Sequence, residues 1–348
     1  MLYKPSTFQI NLNHTCNLHC KHCYGLHDCS QMDEETLSKV LQHIVNIGKL
    51  NESITVSFSG GELGLADPKM VINAIEYLKS NLPETRLNFE CQTNLMYDIS
   101  KEQHEMFRLM NTIGTSYDFG NVRFKDTDQR IKWIDNAKFI AQVYGVNKLQ
   151  IIICITTKLT KYIEPEELID MLYMMPFKNY ELERLCIPMN YKCDINNIKP
   201  YWEEVDNYLT RAFIRYLDYR PRINIQMFEC MIDSFNGKYW YEHSRTCQQE
   251  FLTFSPNGLI SGCAFMEHQP FAKVDDSTTD IIRAKGRIAN IELEQDTSSC
   301  KRCKYFKYCK GDCCRMEWDM EDDWGFFRCP TPKGIYDYLE RNNGLVKV

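Results

Sequence analysis

His14-Thr15-Cys16-Asn17-Leu18-His19-Cys20-Lys21-His22-Cys23-Tyr24 sets three cysteines at the spacing CxxxCxxC. Thiolates this close on one loop can wrap an iron–sulfur cube. Three ligands on a four-iron cluster leave one iron without a protein ligand, and an open metal position is where chemistry takes place. The competing use of clustered cysteines is a zinc knuckle. Zinc loops use paired CxxC, or CxxC with HxxxH, and a CxxxC step alone is not of that kind.

A strand-like run, Phe8 to Leu12, leads into this loop, and a ring residue, His22, precedes the last cysteine. In these features the stretch resembles the radical S-adenosylmethionine (SAM) superfamily. The resemblance implies that SAM chelates the open iron through its amino and carboxylate groups. It also implies reductive cleavage of SAM to methionine and a 5′-deoxyadenosyl radical, which takes a hydrogen atom from substrate. The cofactor then supplies the hard chemistry, while the protein supplies position and insulation.

The bulk composition restricts the alternatives. The chain has 348 residues, 25% charged and 44% hydrophobic, ordinary for a globular protein with a large core. A net charge of −6 does not favour a nucleic-acid partner. No stretch approaches the ~18 consecutive apolar residues of a membrane helix. Met1 to Pro5 lacks the apolar segment of a signal peptide. Seventeen cysteines without such a signal read as metal ligands in a reducing, cytoplasmic setting, not as disulfides. They are also unevenly placed, with three at Cys16–Cys23 and six at positions 300, 303, 309, 313, 314 and 329.

The first two hundred residues alternate strand and helix patterns. Strands are expected at Ile10 and Leu12, at Ile54 to Phe58, at Leu87 to Cys91, at Ile113 to Tyr117, at Leu149 to Ile155 and at Leu185 to Pro188. Helical faces lie between them: Leu37, Val40, Leu41, Ile44 and Val45, with acidic Asp33, Glu34 and Glu35 at the positive end; Val71, Ile72, Ile75 and Leu78, stopped by Pro83; Ile131, Ile134, Ala137, Ile140 and Ala141; Leu168, Met171 and Leu172. Six β–α units imply a parallel sheet. A partial (β/α)6 TIM-type barrel fits this count and the resemblance, with an open doubly wound sheet as the alternative. In either, functional loops follow the strand C-termini. The expected division is a barrel over 1–199, a bridging helix and linker over 200–240 containing the amphipathic run Val205 to Tyr216, and a small cysteine-rich domain over 241–348.

Ser59-Gly60-Gly61-Glu62 follows the second strand. Glycines let the backbone approach a ligand closely, and a carboxylate accepts hydrogen bonds from an ammonium group. Placed after CxxxCxxC, the triplet resembles the family motif that binds the SAM amino group, which makes Glu62 the expected acceptor. Leu63 stands where the family has proline. Gln92-Thr93-Asn94 and Ser116-Tyr117-Asp118, after the third and fourth strands, resemble the sites for the ribose and carboxylate of SAM. Ordinary turn and cap chemistry is the alternative for these residues. Arg130 is a candidate carboxylate partner and Arg123 is equally available.

Cys247, Gly258 and Cys263, then Cys300, Cys303, Cys309, Cys313 and Cys329, follow Cx9–15Gx4C … Cx2Cx5Cx3C … C. This resembles the SPASM domain, a carrier of auxiliary 4Fe–4S clusters, and brings the implied total to three clusters. The resemblance assigns Cys300, Cys303, Cys309 and Cys329 to one auxiliary cluster and Cys247, Cys263 and Cys313 to the other. The fourth ligand of that second set stays open between Cys230, Cys314, another side chain and substrate. A zinc ribbon is the alternative reading of this region.

The resemblance implies a peptide or protein substrate, oxidised at a side chain or crosslinked through a thioether or carbon–carbon bond, as in anaerobic sulfatase maturation or peptide maturation. It also implies an external electron donor of the flavodoxin or ferredoxin type. A small metabolite or sugar is the alternative substrate, and a non-catalytic iron–sulfur or zinc protein the alternative class. The first strand lies so near the start that no winged peptide-recognition domain is expected before it. Recognition would then fall to the barrel mouth, the C-terminal region or a separate protein. No catalytic acid or base stands out.

Overall fold

The computed structural model of the protein describes residues 4–186, 198–238, 250–294, 300, 302–313, 316, 329–342 and 344. Six strands, β1 (Thr7–Asn11), β2 (Ser53–Ser59), β3 (Arg86–Gln92), β4 (Thr112–Ser116), β5 (Leu149–Ile155) and β6 (Asn179–Arg184), run parallel in chain order. The connections are helical: α1 (Glu34–Gly48), α2 (Pro68–Asn81), α3 (Lys101–Leu109), α4 (Thr127–Tyr144), and α5 (Thr157–Tyr162) with α6 (Pro165–Met174). After β6 come α7 (Trp202–Tyr216), the short parallel strand β7 (Asn224–Ile225) and α8 (Gln226–Phe235). The chain then crosses back, and β8 (Phe251–Phe254) pairs in parallel with β1. β9 (Leu259–Ser261) and β10 (Ala272–Lys273) continue antiparallel. The resulting ten-stranded order is β10-β9-β8-β1-β2-β3-β4-β5-β6-β7, the sheet of the expected partial barrel with its six β–α units. It runs across both expected domain boundaries, at 199 and at 241.

Side-chain alternation explains the layering. Phe8, Ile10, Ile54, Val56, Phe58, Phe89, Ile113, Ile151 and Ile153 are buried in one core with Val40, Ile44, Val71, Ile75, Phe107, Trp133 and Ile140 of the helices. The other face is polar. Register places Gln9 beside Ser57 and Ser57 beside Glu90, Gln92 beside Gly114, Ser116 beside Ile152, and Cys154 beside Glu183. Polar strand residues on the inner face are what a ligand-binding barrel needs, since an apolar lumen would collapse into a second core.

Local chemistry sets the helix starts. The Asp33 side chain accepts from the Thr36 N–H at 2.7 Å, and Glu34 and Glu35 occupy the first turn of α1. Asp67 caps α2, with Pro68 at its first position.

Two expectations are corrected. The sixth strand is Asn179–Arg184, not Leu185 to Pro188, of which Ile187 and Pro188 lie outside the described residues. Its inward Glu181 and Glu183 break the apolar run that a buried parallel strand ordinarily presents. On α4, Ile131 is 51% exposed, and the core is reached by Trp133, whose Nε1 donates to Thr115 Oγ1 at 3.0 Å. A helix capped by Asp126 and beginning at Thr127 turns the 131 position outward, and the larger indole fills the space beside Tyr117, Phe124 and Phe177.

Candidate functional site

The cysteine loop leaves the C-terminal end of β1 and returns on itself. His14 N donates to Ser30 O and Met32 N to Leu12 O, with an isolated bridge between Asn13 and Gln31. Inside this closed excursion stand Cys16, Cys20 and Cys23, all partly exposed and all free thiols. Leu18 N–H points at Cys16 Sγ at 3.4 Å, and Asn94 Nδ2 at the same sulfur at 3.7 Å. Donors aimed at sulfur stabilise the thiolate, the form that ligates metal. Burial works the other way, pushing the Cys20 thiol up to about 11, with the Arg123 guanidinium opposing it. Three thiols that feel one another's charge on one half-open loop, none in a disulfide, fit an iron–sulfur cluster and its compensating positive metal.

Gly60 and Gly61 bind the second-strand loop to this one. Gly61 N donates to Asn13 O at 2.7 Å and Glu62 N to Thr15 O at 2.8 Å. Gly60 has φ +151, and a Cβ on either glycine would meet the backbone oxygen of Asn13 or Thr15 at 2.5 or 2.4 Å. The glycines therefore permit close approach of one loop to the other, where the sequence reading assigned the approach to ligand. We expect Gly61→Ala to push the two loops apart at a cost of about 1–3 kcal/mol, read as a lower unfolding midpoint in urea. A stability within error of wild type would contradict the contact.

Glu62 is almost fully buried, and its carboxylate accepts from Thr93 Oγ1 (2.5 Å), Asn94 N (2.6 Å) and Gly64 N (2.8 Å). Burial raises its pKa, opposed by those three donors. The side chain thus joins the loops after β2 and β3. A carboxylate has about four acceptor positions, so room for one further donor remains. Asn94 reaches the cysteine loop from β3, donating from Nδ2 to Asn17 Oδ1 at 2.7 Å as well as towards Cys16. Gln92 Nε2 donates to Ser116 Oγ at 3.2 Å, bringing two sequence-selected residues together.

Asp118 is fully buried. Its Oδ2 accepts from Arg123 Nε at 2.7 Å and its Oδ1 from Cys154 N at 2.9 Å. Burial alone would raise this carboxyl, but Arg123 and His22 outweigh it and hold it below the usual carboxylate range. His22 Nε2 lies 3.4 Å from the same carboxylate. Arg123 is the arginine brought to the cysteine loop. Arg130 instead donates to Asn121 Oδ1.

In the C-terminal region Cys263, Cys300, Cys303, Cys309, Cys313 and Cys329 are described, while Cys247 and Cys314 lie outside the described residues. Burial raises the Cys309 thiol to about 12, and it feels the charge of Cys329. Lys333 bonds Cys329 and also feels Cys303, so these three thiols share one neighbourhood. The buried Arg184 of β6 grips Asp312 by two bonds, of 2.7 and 3.0 Å, and donates to Pro330 O at 2.7 Å. Asp312 in turn accepts from Cys313 N and Thr331 Oγ1, each at 2.7 Å.

Sequence reasoning missed His14, which is buried between two carboxylates. Its Nδ1 lies 2.7 Å from Asp28 Oδ1 and its Nε2 2.8 Å from Glu267 Oε1. Burial would lower its pKa, but the two carboxylates prevail and raise it. Glu267 follows Cys263 closely, and Phe265 between them packs on Tyr24 with ring centroids 4.3 Å apart. Tyr24 directly follows Cys23 and Phe265 lies two residues after Cys263, so this ring contact joins the cysteine loop to the turn that carries Cys263. No local spacing could have signalled a partner 253 positions away.

No protein-family model matches the chain. Two curated proteins of Clostridium perfringens, from strain ATCC 13124 and strain 13, are each described as a cysteine-type anaerobic sulfatase-maturating enzyme. Each is 23% identical, over 93% of this chain and 93% of its own length. The solved structure of native anSMEcpe with bound AdoMet and the Cp18Cys peptide superposes with a TM-score of 0.79 at 18% identity, over 97% of both chains. SuiB of Streptococcus suis bound to S-adenosylmethionine gives 0.62 at 16% identity, over 89% of this chain and 73% of that one. The chain is thus similar along nearly its whole length to cysteine-type anaerobic sulfatase-maturating enzymes, and it shares the fold of their solved structure, a parallel α/β barrel sheet followed by a cysteine-rich C-terminal region.

Proposed function

We propose that this radical SAM oxidoreductase oxidises a side chain of a peptide or protein substrate. The observation that carries the reading is the contact of the N-terminal cysteine loop with the turn that carries Cys263, through Tyr24 on Phe265 and His14 on Glu267, at the C-terminal end of β1. A site between a radical source and an electron acceptor suits net oxidation. Likeness to sulfatase-maturating enzymes, and to a structure holding both AdoMet and a peptide, supports the substrate class. Oxidation of a cysteine-type side chain is the favoured outcome, ahead of a thioether or carbon–carbon crosslink and of a small-metabolite substrate. The expected setting is cytoplasmic, with a flavodoxin or ferredoxin as electron donor.

Cys16, Cys20 and Cys23 would hold one 4Fe–4S cluster. Cys300, Cys303, Cys309 and Cys329 would hold a second, and Cys247, Cys263 and Cys313 a third. When bound, these groups supply one electron to SAM, a 5′-deoxyadenosyl radical that takes hydrogen from substrate, and a sink for the electron left behind. The chain's own part is to hold the geometry. Gly60, Gly61 and Glu62 seat one loop against the other and leave Glu62 an acceptor position for an ammonium group. Asn94 directs a donor at Cys16. Gln92 and Ser116 offer polar groups on the inner face, and Arg123 balances Asp118 beside the cysteine loop.

Anaerobic reconstitution with iron and sulfide, then SAM, a strong reductant and deuterated cysteine peptides, tests the reading. Deuterium in 5′-deoxyadenosine is the expected result. An aldehyde product points to side-chain oxidation, and loss of two hydrogens with retained sulfur points to a crosslink. Zinc at every cysteine site and no 5′-deoxyadenosine would end the proposal. Cys309→Ala should keep part of the SAM cleavage and lose product. Full product from that variant would contradict the electron-sink role.

A further inference from the structure

The stretch that carries Cys263 has little structure of its own. It is a single 3-10 turn, Ala264–Met266, with Cys263 before it and Glu267 after it. Too short to fix its own orientation, it must take that from its surroundings. Lys285, fully buried on the helix Thr278–Glu294, holds one side by donating to Gly262 O at 3.0 Å. The other side meets the N-terminal cysteine loop at two points. His14 Nε2 bonds Glu267 Oε1 at 2.8 Å while its Nδ1 bonds Asp28 Oδ1 at 2.7 Å. Tyr24 lies against Phe265. The points fall on either side of the cysteines: His14 precedes Cys16 and Tyr24 follows Cys23, while Phe265 and Glu267 both follow Cys263. One contact would let the turn pivot, and a second removes the rotation.

We propose that His14 is a positioning residue: with the Tyr24–Phe265 contact it forms a two-point clasp that fixes the Cys263 turn against the Cys16–Cys23 loop. The clasp thereby fixes the gap in which substrate is oxidised, and this last clause alone rests on the proposed function. Nothing in the ligand spacing requires the clasp, since neither His14 nor Glu267 is part of a cysteine motif. The buried position of His14 gives the bond its weight, because a charge-assisted bond away from water is among the stronger polar contacts.

Amide hydrogen exchange on the full chain reads the clasp without turnover. In His14→Ala and in Glu267→Ala alike, peptides over residues 14–24 and 259–267 should both exchange about tenfold faster. The double variant should add nothing to Glu267→Ala, whose carboxylate also bonds Asn11 and Ser255. Acceleration confined to the segment that carries the substitution would overturn the clasp. Should an alanine variant unfold globally, with exchange rising through α2 and the barrel strands, Glu267→Gln is read instead. It keeps an acceptor for the imidazole and removes the charge, and both segments should then accelerate by about threefold. No change in either segment would overturn the proposal. On the reconstituted enzyme, product formed per 5′-deoxyadenosine should fall about tenfold in Glu267→Ala, since a misplaced substrate leaves radicals quenched without product. An unchanged ratio alongside faster exchange would overturn the functional half. A wild type that makes no 5′-deoxyadenosine would end the enzyme reading and leave the exchange result standing.

Discussion

Cys20→Ala is expected to lower reductive cleavage of SAM below about 1% of the wild-type rate, because even outer-shell changes at metal sites cost about 10–100-fold. Cys20 is the most strongly perturbed thiol of its loop, raised to about 11 by burial and by the neighbouring thiols and Asp118 against the pull of Arg123. Such a sulfur stays protonated at neutral pH unless a metal displaces its proton. With alanine there, Cys16 and Cys23 alone offer two ligands, too few for the proposed cluster. Iron content per chain, the visible absorption of the reconstituted protein and 5′-deoxyadenosine release check the result together. Retention of all three would remove Cys20 from the ligand set.

The second large effect lies at Arg184 and Asp312. Both are buried, and they join β6 to the turn between Cys309 and Cys313. Removing one member of a buried ion pair leaves a charge with no compensation and costs about 3–5 kcal/mol. Arg184→Met should therefore lose about that much in urea unfolding, together with iron bound by the C-terminal cysteines. Replacing both members, Arg184→Met with Asp312→Leu, should recover about half of the loss. Recovery stays partial because Cys313 N and Thr331 Oγ1 lose their acceptor. A loss below about 1 kcal/mol in the single variant would place the pair among contacts that water still screens.

The legible parts of the chain are those whose signal is local. Phe8 and Ile10, Ile54 to Phe58 and Ile151 to Ile155 announce strands because their outward faces sit against helices. β6 was misplaced because Glu181 and Glu183 face inward and interrupt its apolar row. β7 and β10 have two residues each, and pairing with a distant strand makes them strands, not propensity. The cysteine spacing is a local signal of the same kind. The roles of Gly60 and Gly61 were half readable: glycine signals close approach, but only the fold reveals that the approaching partner is Asn13 and Thr15. Residues after strand ends were also readable as a set, although Asp118 proves to be bound to Arg123 and Cys154 within the protein.

The place of β1 in the sheet has a consequence for biosynthesis. β1 lies between β2, which is made soon after it, and β8, which begins about 190 residues after β2 ends. At about 5–20 residues per second, the ribosome needs about 10–40 seconds to cover that interval. Throughout it, one edge of β1 keeps unpaired N–H and C=O groups, the kind of edge that invites wrong pairing. The cysteine loop at its end is held first by Gly61 and Glu62 and then by Asn94 and Val122 as they are made, while Glu267 has yet to be made to meet His14. Metal loading of Cys16, Cys20 and Cys23 on the nascent chain would therefore meet a half-supported loop, and loading after release a fully supported one.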